Sequence, residues 1–349
     1  MKHSLLAVAL LGAFAGAAQA QTAVQIYGTI DAGVIKRSGE TLNIGKRASN
    51  TLGFKGTEDL GNGLKALFQL EMRYEPDTGT NEIGGNGTQR PLFQGQSRVG
   101  LQGDFGMVRI GRGLTPYHET IGAFEPFHAS PSPAGFWTDI AVAGYGSQPL
   151  DQAGYSNNRF SNGVWYNSPI VSGFQLNTAI ATKEGGGAAA IVGRGTTANP
   201  QYPAGGEASA NPFSITGTYN NGPAAFMAGY ERNAIESKVW SIGASFAATP
   251  ELKLMGLYSK QDQENTRIVN ANTKAWVLGA NYTMGPGKFL AGYGQKDVDG
   301  LQKVKQLSLG YEYSLSKRTY LYVDASRKKG INALQSTVNH YDVGVNHSF

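Results

Sequence analysis

The sequence predicts an all-β fold, a 16-stranded antiparallel transmembrane barrel, from three observations. Long segments alternate apolar and polar residues with period two. Seven tight turns separate them in pairs. A polar connection of uneven length lies between one tight turn and the next. An amphipathic strand facing lipid on one side and water on the other needs this period, because successive side chains point to opposite faces. In hydrocarbon every unpaired backbone group costs several kcal/mol, so such a sheet must close on itself.

The 349-residue chain opens with Lys2, an almost unbroken apolar stretch from Ser4 to Ala18, and the small-residue site Ala18-Gln19-Ala20. Charge, apolar run and cleavage site in that order read as an export signal over 1–20, leaving a barrel over 21–349. Zero cysteines exclude a disulfide scaffold and a thiolate zinc site. Gly is 48 of 349 and charged residues are only 16%. The glycines have no three-residue period, which excludes collagen. After the signal no apolar run reaches the roughly 18 residues of a membrane helix. A formal net charge of +5 is too small for wrapping nucleic acid, so no nucleic-acid partner is expected.

In the first mature segment Val24, Ile26, Ile30, Ala32 and Val34 share one face, and Gln25, Thr29 and Asp31 the other. From Leu64, the residues Leu64, Ala66, Phe68, Leu70, Met72 and Tyr74 form an apolar stripe opposite Lys65, Gln69, Glu71 and Arg73. Further stripes are Phe174/Leu176/Ile180, Trp240/Ile242/Phe246, Trp276/Leu278/Tyr282, Leu307/Leu309/Tyr311/Tyr313 and Tyr341/Val343/Val345/Phe349. Each covers about ten residues, which suits a tilted spanning strand of roughly 9–11. Aromatic residues near stripe ends, among them Tyr74, Tyr282, Tyr293 and Tyr313, fit interfacial girdles and weigh against a secreted sandwich.

Tight turns rich in Gly, Pro, Asn, Asp and Ser fall at 59–63, 103–106, 168–173, 220–223, 248–251, 285–287 and 315–318. Seven hairpins plus one strand at each end give 16 strands, with both termini on the short-turn side. The longer connections run near 37–49, 75–92, 113–158, 184–212, 260–273 and 330–336. Within the fourth, Gly185 to Ala190 is low-complexity.

The segment 113–158 is too long to be idle. It contains five prolines, the acids Glu119, Glu125 and Asp139, and the anchors Phe124, Phe127, Phe136 and Trp137. Its length and its stiffening prolines single it out as a functional connection. A narrow passage lined by fixed charge enriches ions of opposite sign. Arg109 alternates with Val108 and Ile110 and so faces the lumen. Lys65, Arg73, Lys183 and Lys253 share lumenal phases with Asp31, Glu71 and Glu312. Strict alternation points Arg112 outward with Ile110, whereas a bulge at Gly111 turns it inward.

Enzymatic motifs are absent: there is no G-x-S-x-G elbow, H-E-x-x-H helix or P-loop. No catalytic residue, cofactor or metal is expected. Asp297-Val298-Asp299-Gly300 offers two carboxylates but lacks the third acid and distal glutamate of a calcium loop.

Several segments carry a family resemblance. Ile26-Tyr27-Gly28-Thr29-Ile30-Asp31-Ala32-Gly33-Val34 resembles the opening strand of general porins of the Burkholderia, Bordetella and Neisseria group. Leu52-Gly53-Phe54-Lys55-Gly56-Thr57-Glu58-Asp59-Leu60-Gly61-Asn62-Gly63 resembles a hairpin of that family most strongly. Val99-Gly100-Leu101, Ile110-Gly111-Arg112, Leu315-Ser316-Lys317-Arg318-Thr319 and the ending Gly344-Val345-Asn346-His347-Ser348-Phe349 are similar as well. The resemblance implies a water-filled homotrimeric channel of the outer membrane for small hydrophilic solutes and ions, among outer-membrane lipid and lipopolysaccharide, whose third long connection, 113–158, folds inward to narrow it with its acids facing basic wall residues. It implies that Phe349, with Tyr341, Val343 and Val345 in phase, is read by the assembly machinery. It also implies a ladder of wall arginines, which this chain keeps in part. Arg159 matches one ladder position and Arg112 the family's Gly-Arg step. Thr51 stands where anion-selective members carry arginine, and Gln96 at another such position, with Arg98 two residues later on the same face. The expected balance is a weak anion preference.

Overall fold

The computed structural model describes residues 23–83, 89–142, 145–149, 158–183, 210–262, 272–330 and 337–349. The signal segment and the Gly185–Ala190 run lie outside them. The strands are β1 (Ala23–Arg37), β2 (Asn43–Gly45), β3 (Thr51–Gly61), β4 (Leu64–Arg73), β5 (Gln96–Gly103), β6 (Gly106–Leu114), β7 (Arg159–Asn167), β8 (Phe174–Ala181) and β9 (Phe213–Asn221). They continue with β10 (Ala224–Arg232), β11 (Lys238–Ala247), β12 (Leu252–Asp262), β13 (Thr273–Met284), β14 (Gly287–Val298), β15 (Val304–Ser314), β16 (Thr319–Lys329) and β17 (Thr337–Ser348).

From β3 onward each strand pairs antiparallel with the next, and β17 returns to β1 from Thr29↔Ser348 to Arg37↔His340, closing the sheet. Closure leaves no edge to expose unpaired backbone in lipid. The three-residue β2 pairs with Gly33–Ile35 of β1, and β3 pairs with Ala23–Thr29 of the same strand. These two segments form one interrupted wall strand, so the wall has the 16 strands that the turns predict. The seven expected tight turns join β3/β4, β5/β6, β7/β8, β9/β10, β11/β12, β13/β14 and β15/β16. In the first of them Asp59 Oδ1 accepts from Gly61 N at 2.8 Å, and Asn62 and Gly63 take positive φ. Two outer connections, 233–237 and 299–303, are as short as these turns.

Alternation decides which way each wall residue points. On β13, Leu278 is 60% exposed to the lipid side while its neighbour Val277 is 1% exposed. Inside the barrel Val277 meets protein, because segment 115–142 packs against the inner wall. It forms the helix α1 (Pro116–Ile121), a 3-10 turn (Gly122–Phe124) and a π-helical turn (Trp137–Ala141). Thr115 caps α1, and Pro116 opens it where no backbone donor is needed. Phe124, Phe127, Phe136 and Ile140 join Val239, Leu257, Val277 and Leu290 in one buried cluster, with Trp137 packed on its margin. The hydrophobic core therefore lies between loop and wall.

The inner wall is flattened to receive this segment. A Cβ at Gly243 would stand 2.7 Å from Phe124 Cγ, and one at Gly292 only 2.4 Å from Phe136 Cε2. Polar wall residues fasten what the glycines admit. Gln306 Nε2 donates to the carbonyls of Pro133, Ala134 and Gly135, and Ser259 Oγ donates to Ala141 O at 2.6 Å.

Candidate pore constriction

The capped start of α1 carries Glu119 toward the opposite wall. Its Oε1 lies 3.1 Å from Arg98 Nη1 and its Oε2 lies 3.7 Å from Arg109 Nη2. Arg98 Nε donates to Gln69 Oε1 at 3.1 Å, and Arg109 Nη2 donates to Asn167 Oδ1 at 2.6 Å. The strand register explains the pair. Arg109 stands opposite Gly100, and Arg98 opposite Gly111 and Gln69, all in the inward phase. Two guanidiniums thus share one carboxylate. Beside it a cavity of about 350 Å³ is lined by Glu119, Thr120, Asn167, Asn177, Asn220 and Lys253, among others.

The other expected basic residues lie elsewhere. Arg159 is buried at the start of β7, donating from Nε to Gly95 O and from Nη1 to Asn158 Oδ1, each at 2.7 Å. Arg112 donates from Nε to Gln94 O at 3.0 Å and from Nη1 to the Ser161 hydroxyl. The bulge anticipated near Gly111 exists as a register shift against β7 between Gly111 and Gly113. Its extra residue falls on β7, where Asn162 takes φ 51°, so β6 keeps its phase against β5. Arg112 stands opposite Ser97, in phase with Val99 and Ile110. For these two residues the expectation of a pore-lining role is corrected: their guanidiniums brace the segment 94–95 against β6 and β7. Arg73 reaches Ser49 Oγ at 2.9 Å and lies 3.7 Å from Glu71, at the outer end of β4. Lys65 is exposed near the short-turn end, opposite Asp59 and Gln102.

The acids divide similarly. Glu125 is 1% exposed and does not face the channel, a second correction. Its carboxylate turns into the loop, where it accepts from Phe127 N at 2.9 Å and from Ala129 N. Burial pushes it up to about 7, against the pull of those backbone donors. Asp139 pairs with Lys328. Burial opposes its ionisation, but the Lys328 ammonium prevails and holds it below the usual carboxylate range. His118 lies between Tyr117 and Trp137, with Nδ1 2.9 Å from Thr115 Oγ1, and burial lowers it to about 3, leaving it neutral. Asp297 is paired with Lys303 at 2.8 Å, and among the described residues no cluster of three metal-ligating acids or histidines occurs.

Sequence reasoning missed Arg47. It sits where the wall strand breaks between β2 and β3, and is buried. Nε lies 2.7 Å from Asp324 and Nη1 2.7 Å from Glu312, while Cζ is 5.0 Å from the Tyr322 ring centroid. Its backbone N donates to Asp31 Oδ1, and its carbonyl accepts from Ser130 Oγ. Arg47 thus ties β1, β15, β16 and the inward segment together. A hint is that Asp31 and Asp324 share inward phases with no cation opposite either across the ladder.

Similarity to known proteins follows the same lines. A family model described as Gram-negative porin matches residues 7–332. An outer membrane porin protein of Bordetella pertussis is 29% identical over the whole of both chains. Outer membrane porin protein 32 of Delftia acidovorans is 32% identical, covering 92% of this chain and 88% of that one. Among solved structures, an anion-selective porin from Comamonas acidovorans superposes with a TM-score of 0.71 at 25% identity, over 94% of this chain and all of that one. A closed 16-stranded wall, an inner face built to hold a folded loop and these relatives agree: the chain belongs to the Gram-negative porin family and is a protein of the outer membrane.

Proposed function

We propose that the chain forms a non-enzymatic, water-filled diffusion channel for small hydrophilic solutes and ions, narrowed by segment 113–158 and weakly anion-preferring. The observation that carries the preference is the sharing of Glu119 by Arg98 and Arg109. Two positive charges against one negative leave the narrowing with an excess of one, and low-dielectric walls focus that field on the water beside it. On another part of the wall Lys288 and Arg47 are paired with Glu312 and Asp324. The anion selectivity of the Comamonas relative supports the same sign.

The export signal over 1–20, homotrimeric assembly and recognition of Tyr341, Val343, Val345 and Phe349 by the assembly machinery belong to the same reading. Phe349 supports it by exchanging two backbone hydrogen bonds with Gly28, at 3.0 and 3.2 Å, across the closing seam.

The test is the reversal potential of purified protein in a planar bilayer under a KCl gradient. Discrete ohmic steps with a modest chloride preference are expected. A cation-selective reversal would overturn the role given to Arg98 and Arg109. Absence of conductance from verified folded protein would overturn the channel.

A further inference from the structure

Charge is unevenly distributed around the inner wall. Near the tight turns, inward positions carry Lys65 and Arg109 on β4 and β6, and Lys253 and Lys288 on β12 and β14. The strands between these two groups, β7–β11, turn no charged side chain inward at that depth. Their inward polar residues there are Asn167, Gln175, Asn177, Thr218, Asn220 and Ser245, all amides or hydroxyls.

Register gathers them on neighbouring rungs. Asn167 stands opposite Asn177, Gln175 opposite Thr218, and Ala225 opposite both Asn220 and Ser245. All of them line the cavity of about 350 Å³ beside Glu119, and Thr120, Ala123 and Phe124 line it from the inward segment. That volume is at the small end of the roughly 300–1,000 Å³ of ligand pockets. Part of the lining is held in place. Arg109 Nη2 donates to Asn167 Oδ1, and Asn167 Nδ2 donates to Asn177 Oδ1. Thr120 Oγ1 donates to Pro116 O at 2.8 Å, and Gln175 Nε2 to Ser168 O at 3.1 Å. The Asn220 amide and the Thr218 and Ser245 hydroxyls take no side-chain partner among the described residues and are left to whatever fills the cavity.

The lining selects among solutes by its chemistry. An amide or hydroxyl side chain both donates and accepts, and so does each hydroxyl of a sugar or polyol. A carboxylate or phosphate only accepts, so it would set its charge against the amide carbonyls with Lys253 as the cation among the lining residues. An ammonium would need Glu119, which Arg98 and Arg109 already hold. Ala123, Phe124 and Ala225 offer an apolar patch for the C–H face of a ring. We propose that this cavity, on the short-turn side of the constriction, is a binding subsite for a neutral mono- or disaccharide. The proposal rests on the reading of the barrel as a water-filled channel and names one solute class that the channel retains in passing.

The experiment is a titration of the single-channel current in KCl with lactose on both sides of a planar bilayer. Polyethylene glycol of equal mass serves as the non-binding control, and lactobionate as the carboxylate of the same disaccharide. Lactose is expected to lower the current along a saturating curve, polyethylene glycol only in proportion to its concentration. Lactobionate should half-saturate at no lower concentration than lactose. T218V/S245A keeps the shape and charge of the cavity and removes two hydroxyls, so the lactose half-saturation should rise about tenfold. Should that variant not fold, Q175L is expected to raise it about threefold. A lactose effect as linear as that of polyethylene glycol would overturn the subsite, and so would an unchanged half-saturation in the folded variant. Lactobionate acting at a tenfold lower concentration than lactose would make the cavity an anion site and overturn it as well. Absence of current before any sugar is added would overturn the channel itself, whereas the other failures leave the ohmic KCl current intact and strike the subsite alone.

Discussion

Glu119 is one residue with two duties, since it offsets one of the two charges on Arg98 and Arg109 and fixes where they point. Replacing it by Gln keeps the shape and removes the charge. At about 4 Å in water-like surroundings a unit charge is worth about 1 kcal/mol, so E119Q should raise the chloride-to-potassium permeability ratio by about fivefold. R98Q/R109Q should push reversal toward cations, and a variant pair that moved it the same way as E119Q would contradict the assignment. Glu125 differs in kind. Its raised value of about 7, against an ordinary 4.5, means the docked loop holds a proton that a released loop gives up. Loop docking is thus strongest below about pH 4.5, weakens as pH rises through about 7 and is flat beyond, a change on the order of 3 kcal/mol. Protease nicking within 113–142 should be faster at pH 8 than at pH 5 in the wild type and independent of pH in E125Q. The sequence displayed both residues as acids in the same long loop. It did not reveal which faced water, because an i+2 backbone donor and a neighbouring cation look alike in one dimension.

At the scale of elements, the alternation that marks a lipid-facing strand leaves its other face unconstrained, and β10–β15 use that freedom. Their inward positions include Gly229, Gly243, Gly279, Gly292 and Gly310, each within van der Waals contact of the inward segment or its anchors. Part of the glycine surplus in the composition is therefore a docking surface. G292A should overpack the Phe136 contact and destabilise the folded barrel by about 1–3 kcal/mol, read as a lower temperature for conversion to unfolded mobility in detergent gels. G256A, where the nearest atom would be the flexible Leu278 Cδ2 at 3.2 Å, is the control and should change little. The strands and their tight turns were legible because period two and turn chemistry are local. The break between β2 and β3 was not, since Arg47 is paired to Asp324 and Glu312, more than 260 residues away in sequence. Long-range ion pairs leave no periodic trace.

For the whole molecule the decisive contact is closure. Sixteen strands could be counted from turns, but only the β1–β17 register, ending at Thr29↔Ser348, turns the count into a barrel. Phe349 finishes the seam through its two backbone bonds to Gly28, and a Cβ on Gly28 would stand 2.5 Å from the Phe349 ring. Deletion of Phe349 and the substitution G28V should therefore both lower the yield of heat-modifiable barrel. A permeability change without a yield change would contradict a closing role. The finished wall also sets how far the constriction's charge is felt. A single excess positive charge acts over a Debye length of about 10 Å at 0.1 M salt and about 3 Å at 1 M. Chloride preference should accordingly shrink between 0.1 and 1 M KCl at a fixed gradient ratio while conductance rises with concentration. If the preference instead stayed constant with salt, selection would come from direct contact with a bound ion, and the current would saturate. That outcome would replace the diffuse field of Arg98 and Arg109 with a discrete anion site and make the channel substrate-specific.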